Sequence, residues 1–364
     1  MDAEVWVLGG TGRSGRAVAV ELARRGVPAV LVGRDASRLA AAAQPTGSRT
    51  VVAGSVDATA AEIRRQRPAV VISTVGPFTT TAGPIIDACL PGSHYVDLAN
   101  DVAAVSATLG RHDAATGAGR TLVTGAGFGV TATESVVVKL CADRPAPLRV
   151  RVDMVPSLAI EAGVVGTALA GTILDGLPGV PGGGRFQGRQ IADGRLAPAR
   201  IGGEARRLTL PDGTEVTTAS MPLGELLAAQ RASGARFVVS ASSEAPSAPV
   251  VRAVLPAALA MLKWAPLREF AKRRLAGVRI KAADRPREHS WGHAVVTWAD
   301  GETREGWLRL GEAQAYTGAV PAEIARRLLA GDGRPGAYTP AALFGAGLAE
   351  ACGGEYLPAG SGRR

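Results

Sequence analysis

The residues best placed to do chemistry begin at the ninth position, where Gly9-Gly10-Thr11-Gly12-Arg13-Ser14-Gly15 follows the apolar run Val5-Trp6-Val7-Leu8 and opens an Ala- and Leu-rich stretch. The run fits G-x-G-x-x-G from Gly10 and G-x-x-G-x-x-G from Gly9, in the strand-turn-helix setting that gives such a cluster meaning. The turn needs a residue tolerant of positive φ, the backbone must approach a pyrophosphate closely, and the helix must pack tightly on the strand. Unpaired N–H groups at the helix start then bind the phosphates. At the end of the next apolar run, Val30-Leu31-Val32, an NAD site would carry an acid for the ribose, yet Gly33 stands there, followed by Arg34 and, one helical turn on, Arg38. Two guanidinium groups suit a 2′-phosphate, so the expected cofactor is NADPH. Asp35 is the alternative ribose-facing residue. Val75-Gly76-Pro77-Phe78 is expected to line the nicotinamide half, and Asp57 to accept from the adenine amino group or else to be a surface acid.

The reacting end is marked less sharply. None of the four tyrosines is followed four residues later by a lysine, which removes the Tyr-Lys pair of short-chain dehydrogenases. His289 and His293 are four apart but flank Trp291 in a strand-like run, where that spacing does not converge on a metal as it would on a helix, and no metal is expected. A hydride donor needs from the protein only a positioned acceptor and a proton or polarising donor. Tyr95 and Asp97, two apart on one strand face near the expected nicotinamide, are the catalytic candidates; the alternative is that Tyr95 packs and Asp97 caps a helix. Phe128, Thr167, Thr172, Tyr338 and Thr339 are the candidate substrate-lining residues, and Lys139 is expected on a solvent-facing helix surface.

These residues need a frame. The chain's 364 residues exceed the roughly 150 of one domain, so two are expected. Val-rich runs at 5–8, 29–32, 50–53, 69–74, 95–98 and 121–124 alternate with helical stretches, the signature of a doubly wound parallel sheet. Beyond Gly125, Pro211-Asp212-Gly213-Thr214 and Asp300-Gly301 punctuate runs of high β-propensity, predicting a mixed or antiparallel sheet. Helices are expected over 162–174, 223–230, 250–263 and 321–329, the last with Pro321 in its first turn, and a mobile loop over 176–184. The fold class is therefore α/β, a Rossmann domain over 1–130 completed by 332–364, with a second α+β domain over 131–331.

The net charge of +9 raises nucleic acid as a partner, but aromatics are only 4% and are not interleaved with the cations, so none is expected. The three cysteines are scattered and odd in number, and the N-terminus opens on a strand pattern, not a basic and apolar leader, so the expected compartment is the cytoplasm. Residues 249–264 are apolar but interrupted by Arg252, Pro256 and Lys263, and residues 268–288 hold eight Lys or Arg against three acids. The pair, 250–287, reads either as a membrane-surface or carrier-docking element or as a solvated basic face beside a buried helix.

The chain resembles the saccharopine dehydrogenase-like oxidoreductases through the glycine turn, Val75-Gly76-Pro77-Phe78, Ala88-Cys89 with Gly92-Ser93-His94-Tyr95-Val96-Asp97, Gly125-Ala126-Gly127-Phe128-Gly129, Gly166-Thr167 and Tyr338-Thr339-Pro340-Ala341. The resemblance implies an NADP-dependent reductase with a central substrate and dimerisation domain, a homodimer, and a C-terminal helix returning to the first domain. Members reduce imines in lysine metabolism or act in trans on enoyl groups in lipid assembly. Two departures stand out: Leu98-Ala99-Asn100-Asp101 follows Asp97 where the family often has Thr-Gly-Glu, and Gly129 replaces an Asp. The expected function is hydride transfer from NADPH to a C=N, C=C or C=O bond of a specialised-metabolite or acyl-type substrate, free or carrier-tethered. The alternatives are an NADPH-binding sensor and a docked scaffold.

Overall fold

The computed structural model describes residues 4–159, 188–246, 264–282 and 284–357, with residues 163, 164, 257 and 261. The elements run β1 (Val5–Leu8), α1 (Arg13–Arg24), β2 (Ala29–Gly33), α2 (Ala36–Ala43), β3 (Arg49–Val52), α3 (Val56–Gln66), β4 (Val70–Ser73), α4 (Phe78–Cys89), β5 (His94–Asp97), α5 (Val102–Leu109), α6 (His112–Gly117), β6 (Thr121–Val123) and α7 (Phe128–Cys141). They continue through β7 (Arg149–Val155), β8 (Gly163–Val164), β9 (Gly188–Ala192), β10 (Arg195–Ala199), β11 (Arg206–Thr209), β12 (Glu215–Ser220), α8 (Glu225–Ser233), β13 (Phe237–Ser242), α9 (Ala265–Ala276), β14 (Arg279–Ile280), β15 (Ser290–Thr297) and β16 (Thr303–Leu310). The chain ends with α10 (Ala313–Leu329), β17 (Gly336–Tyr338), α11 (Pro340–Phe344), α12 (Gly347–Ala351) and β18 (Glu355–Leu357).

The first sheet is parallel throughout and ordered β17-β6-β5-β4-β1-β2-β3. Its central strands β1 and β2 are apolar runs because both faces are covered: Val5 and Val7 of β1 join one core, Trp6 and Leu8 the other. Six strands fall within one residue of the expected positions, and β17 adds a seventh. The second sheet follows the path β10-β9-β13-β7-β15-β16-β18, with β12 joined to β13 and β11 to β12. It is mixed, since β13 runs parallel to β7 while β15 runs antiparallel to it. Val150, Val152 and Met154 share one core with residues of α7 and α8. On the opposite face of β7, Arg151 and Asp153 meet Thr218, and His293 bridges Asp153 (3.0 Å) and Glu305 (2.9 Å).

Both Asp-Gly turns close hairpins. Asp212 accepts from Thr214 N and Asp300 from Glu302 N, each at 2.9 Å, and Gly213 and Gly301 take positive φ.

Four expectations are corrected. Pro321 does not start its helix but lies inside α10, whose buried residues Ala313, Tyr316 and Val320 carry it two turns further toward the N-terminus. Residues 332–364 do not all complete the first domain: β17 pairs with β6, whereas β18 pairs with β16 of the second sheet. Gly163 and Val164 form a strand with β14 where a helix was expected; the rest of 162–174, with Thr167 and Thr172, and the loop at 176–184 lie outside the described residues. The helix expected over 223–230, α8, starts at Glu225 and not at Leu223, which bridges Asp101. Of 250–263 only residues 257 and 261 are described, and both are helical.

Candidate functional site

The glycine turn is built by backbone constraint. Gly9 has φ +76°, and a Cβ there would sit 2.7 Å from Thr74 Oγ1; one on Gly15 would overlap the Gly9 carbonyl. Gly9 N and Gly10 N both donate to Val32 O, tying the turn to the end of β2. Gly12 is the N-cap of α1 with no side-chain cap, and the first turn holds no acid. The open N–H groups and positive end of the dipole therefore face the crevice outside β1 and β4, where the strand order reverses. That cradle fits a dinucleotide pyrophosphate. Ser14 Oγ accepts from Gln314 Nε2 at 3.2 Å, and Arg13 donates to Ala159 O at 2.8 Å and approaches Glu312, so side chains of the turn reach the segment after β7 and the start of α10.

At the end of β2, Asp35 caps α2: its Oδ1 accepts from Arg38 N (3.0 Å) and Ser37 Oγ (2.8 Å), which holds its carboxyl below the usual range. The carboxylate is committed to its own helix. Arg34 and Arg38 are both exposed beside it, and neither is held in an ion pair among the described residues. Asp57 is exposed in the first turn of α3. The loop of Val75, Gly76, Pro77 and Phe78 is half-buried, with Thr81 Oγ1 donating to Val75 O at 2.6 Å.

Tyr95 and Asp97 are both 0% exposed, and neither is among the described residues that line the cleft beside Phe128. Asp97 Oδ1 gathers Ala99 N (3.0 Å), Thr124 Oγ1 (2.8 Å) and Gly125 N (3.2 Å), fixing the loops that leave β5 and β6. Burial pushes its carboxyl up to about 6 against those bonds. The Tyr95 ring packs in the core on its side of the sheet. Their burial makes them positioning residues for these loops. Tyr338 and Thr339, expected in the substrate pocket, are not among the described residues lining that cleft: the Tyr338 hydroxyl donates to Pro335 O (2.9 Å), and Thr339 donates to Glu134, which also accepts from Ala341 N (2.8 Å) and Ala342 N (3.1 Å). These bonds cap α11, and burial still drives the Glu134 carboxyl up to about 7. Lys139 is exposed, its Nζ 4.3 Å from the centre of the Tyr356 ring.

The cleft lies where the loops after β5 and β6 meet the second sheet. It holds about 230 Å³ and is lined by Leu98, Ala99, Asn100, Gly127, Phe128, Gly129, Val130, Met154, Pro156, Leu158, Glu244, Ala313, Gln314 and Thr317. Thr317 Oγ1 accepts from Phe128 N at 3.2 Å, fixing the expected substrate residue Phe128 in the wall. The walls are largely apolar, and no Lys, Arg or His is among the described residues that line them. Glu244 stands solvent-exposed at the rim, its carboxyl raised by surrounding protein with Arg287 opposing. Asn100 Oδ1 is buried without a partner.

Sequence reasoning missed Glu225. It is 1% exposed, neither carboxyl oxygen has a partner at hydrogen-bonding geometry, and burial raises it to about 7 with the Asn100 side chain opposing. A Cβ on Gly129 would overlap Glu225 Oε1, so this carboxyl occupies the space a side chain at 129 would take, directly behind the cleft floor at the first turn of α7. Nothing local marks it, because α8 brings it in from 96 residues away.

Residues 5–123 match the family described as the saccharopine dehydrogenase NADP binding domain. Among solved structures, apo saccharopine dehydrogenase (L-Glu forming) from Saccharomyces cerevisiae is 14% identical, with a TM-score of 0.60 over 98% of this chain and 100% of its own. A yeast methylglyoxal/isovaleraldehyde reductase complexed with NADPH is 13% identical over 26% of this chain and 36% of its own, with a TM-score of 0.25. No curated protein matches the sequence. Residues 5–123 thus match a saccharopine dehydrogenase NADP-binding domain, and the chain as a whole shares the fold of apo saccharopine dehydrogenase.

Proposed function

We propose that the chain reduces a neutral, largely apolar substrate of the acyl or specialised-metabolite type, at a C=N, C=C or C=O bond, in the cleft beside the glycine turn. The observation that carries this reading is the lining: a cavity of about 230 Å³ with mostly apolar walls next to Gln314 and Ser14, and no cationic side chain among its described residues. A substrate bearing carboxylates, as amino acids do, would be desolvated there without a counter-charge from the described residues, which is costly. An acyl chain or neutral carbonyl compound would bury apolar surface at no such cost.

NADPH supplies the hydride when bound. The chain's own residues have three tasks. Open N–H groups of the glycine turn would hold the pyrophosphate, and Arg34 and Arg38 would bind the 2′-phosphate. Phe128, Met154 and Leu158 exclude water from the acceptor. Asn100, a lining residue of the cleft at a position where the family often carries Glu, would polarise the acceptor's heteroatom, and Glu244 at the rim is the group able to hold a proton.

The test follows NADPH oxidation with enoyl thioesters, cyclic imines, neutral ketones and aldehydes, and a dicarboxylic amino-acid imine. Turnover of one neutral class, with the dicarboxylic imine inert, is expected, and Arg34→Asp should weaken NADPH about 10- to 100-fold while sparing NADH. Silence across every class despite tight NADPH binding would favour the sensor reading. Preference for the dicarboxylic imine would overturn the substrate class.

A further inference from the structure

A second surface, remote from the reaction, carries its own chemistry. Among the described residues, six large apolar side chains are strongly exposed, and four of them, Met261 (60%), Trp264 (68%), Phe270 (54%) and Val278 (46%), fall within one short segment. Scattered exposed apolar residues need no explanation, but a cluster does. The segment contains α9, none of whose residues is buried. Trp264 is the N-cap of α9 and Phe270 lies in its second turn, so two exposed aromatic side chains stand near the start of the helix.

Charge concentrates on the same element. Residues 264–281 carry six Lys or Arg against the single acid Glu269, a net of +5 in a chain whose net charge is +9. Arg273 and Arg274 are exposed, and the Arg274 guanidinium lies 5.7 Å from the centre of the Phe270 ring, an apolar stem and charged head covering one aromatic. No described helix is long and apolar enough to cross a membrane.

We infer that the N-terminal part of α9, with Trp264 at its N-cap, Phe270 in its second turn and the surrounding arginines, seats the protein on an anionic lipid surface. An aromatic side chain with a basic rim is suited to the boundary between headgroups and acyl chains, where Trp is favoured and Lys and Arg meet anionic lipid. A second copy fits worse as the occupant, because a two-fold contact would press the same +5 surface against itself. The inference does not depend on which bond the enzyme reduces.

The full chain is co-sedimented with vesicles of phosphatidylcholine, alone or with about a third phosphatidylglycerol, at low and high salt. Retention on the anionic vesicles is expected to exceed that on neutral ones by about tenfold or more and to fall with salt; Arg273→Glu with Arg274→Glu should remove most of it. Trp264 is also the reporter, since Trp6, Trp291, Trp298 and Trp307 are all at most 8% exposed. A blue shift of tryptophan emission on anionic vesicles is expected, and it should vanish in Trp264→Phe while retention persists. NADPH binding by each variant verifies folding, because none of these residues touches the cofactor turn. Equal retention on neutral vesicles, retention indifferent to the double charge reversal, or binding without the Trp264 shift would each overturn the inference. So would a soluble dimer dispersed by Phe270→Glu, or a Trp264 shift produced by polyglutamate alone, which would point to a second copy or an acidic protein.

Discussion

A carboxyl group buried without a partner is cheaper to keep protonated than charged, and Glu225 is held in that condition behind the cleft. Its folded value of about 7 lies above the ordinary 4.5, so its contribution to stability is complete below about pH 4.5 and is lost as pH rises through about 7. The loss is on the order of 3 kcal/mol at most. Glu134, at about 7, and Asp97, at about 6, act in the same direction, whereas Asp153, held near 2 although burial opposes it by His293 and Arg151, stabilises the fold at all higher pH. Glu225→Gln, which keeps the shape and cannot ionise, should therefore be more stable than the parent at pH 8 and nearly equal to it at pH 5, read as thermal midpoints at the two values. A difference of the same size at both would show that shape, and not charge, governs the position. The residue was illegible in the sequence for a plain reason: its meaning comes from Gly129 and Asn100, which belong to other elements. Asp35 shows the converse, an acid that competed with Arg34 for the ribose until its bonds to Arg38 N and Ser37 Oγ assigned it to helix capping.

Elements were legible where one local pattern fixed them. β1 and β2 are apolar runs because both sheet faces are covered, and the Asp-Gly turns close hairpins because glycine alone takes the required φ without strain. Legibility failed where tertiary packing overrode local rules. Pro321 reads as a helix start, yet α10 begins at Ala313, its N-terminal half held by burial of Ala313, Tyr316 and Val320. The same helix crosses α1 so closely that a Cβ on Gly318 would lie 2.9 Å from Ala17 Cβ and 3.0 Å from its carbonyl carbon. Gly318 is thus a spacer for a helix contact, a role no motif announces. Gly318→Ala would favour the helix intrinsically by roughly 1 kcal/mol, but forcing two backbones apart costs about 1–3 kcal/mol, so net destabilisation in urea is expected. Ala17→Gly in the same chain should restore part of it. A stabilised single variant would mean the crossing has slack.

At the scale of the molecule, polar groups of the cofactor turn reach, among the described residues, the segment after β7 and the first turn of α10, which border the cleft. Arg13 reaches Ala159 O and Glu312, and Ser14 accepts from Gln314, while Gln314 and Ala313 also line the cleft. A dinucleotide on the glycine turn therefore acts on the same few residues that shape the substrate space. Each link is partly exposed and worth about 1 kcal/mol or less, so the coupling between cofactor and cleft amounts to a several-fold change in affinity and not to a switch. The tail strengthens the arrangement, since β17 extends the first sheet and β18 the second, so one short stretch of chain is pinned to both. Hydrogen exchange reads the consequence directly. NADPH should slow exchange not only at residues 9–20 but also at 312–318, which no part of a dinucleotide on the turn need touch. Glu312→Ala combined with Gln314→Ala should leave the protection at 9–20 in place and abolish it at 312–318, with NADPH affinity reduced only several-fold. Protection confined to 9–40 in the parent chain would show that the two sides of the cleft respond independently, and that the first turn of α10 is scaffold alone.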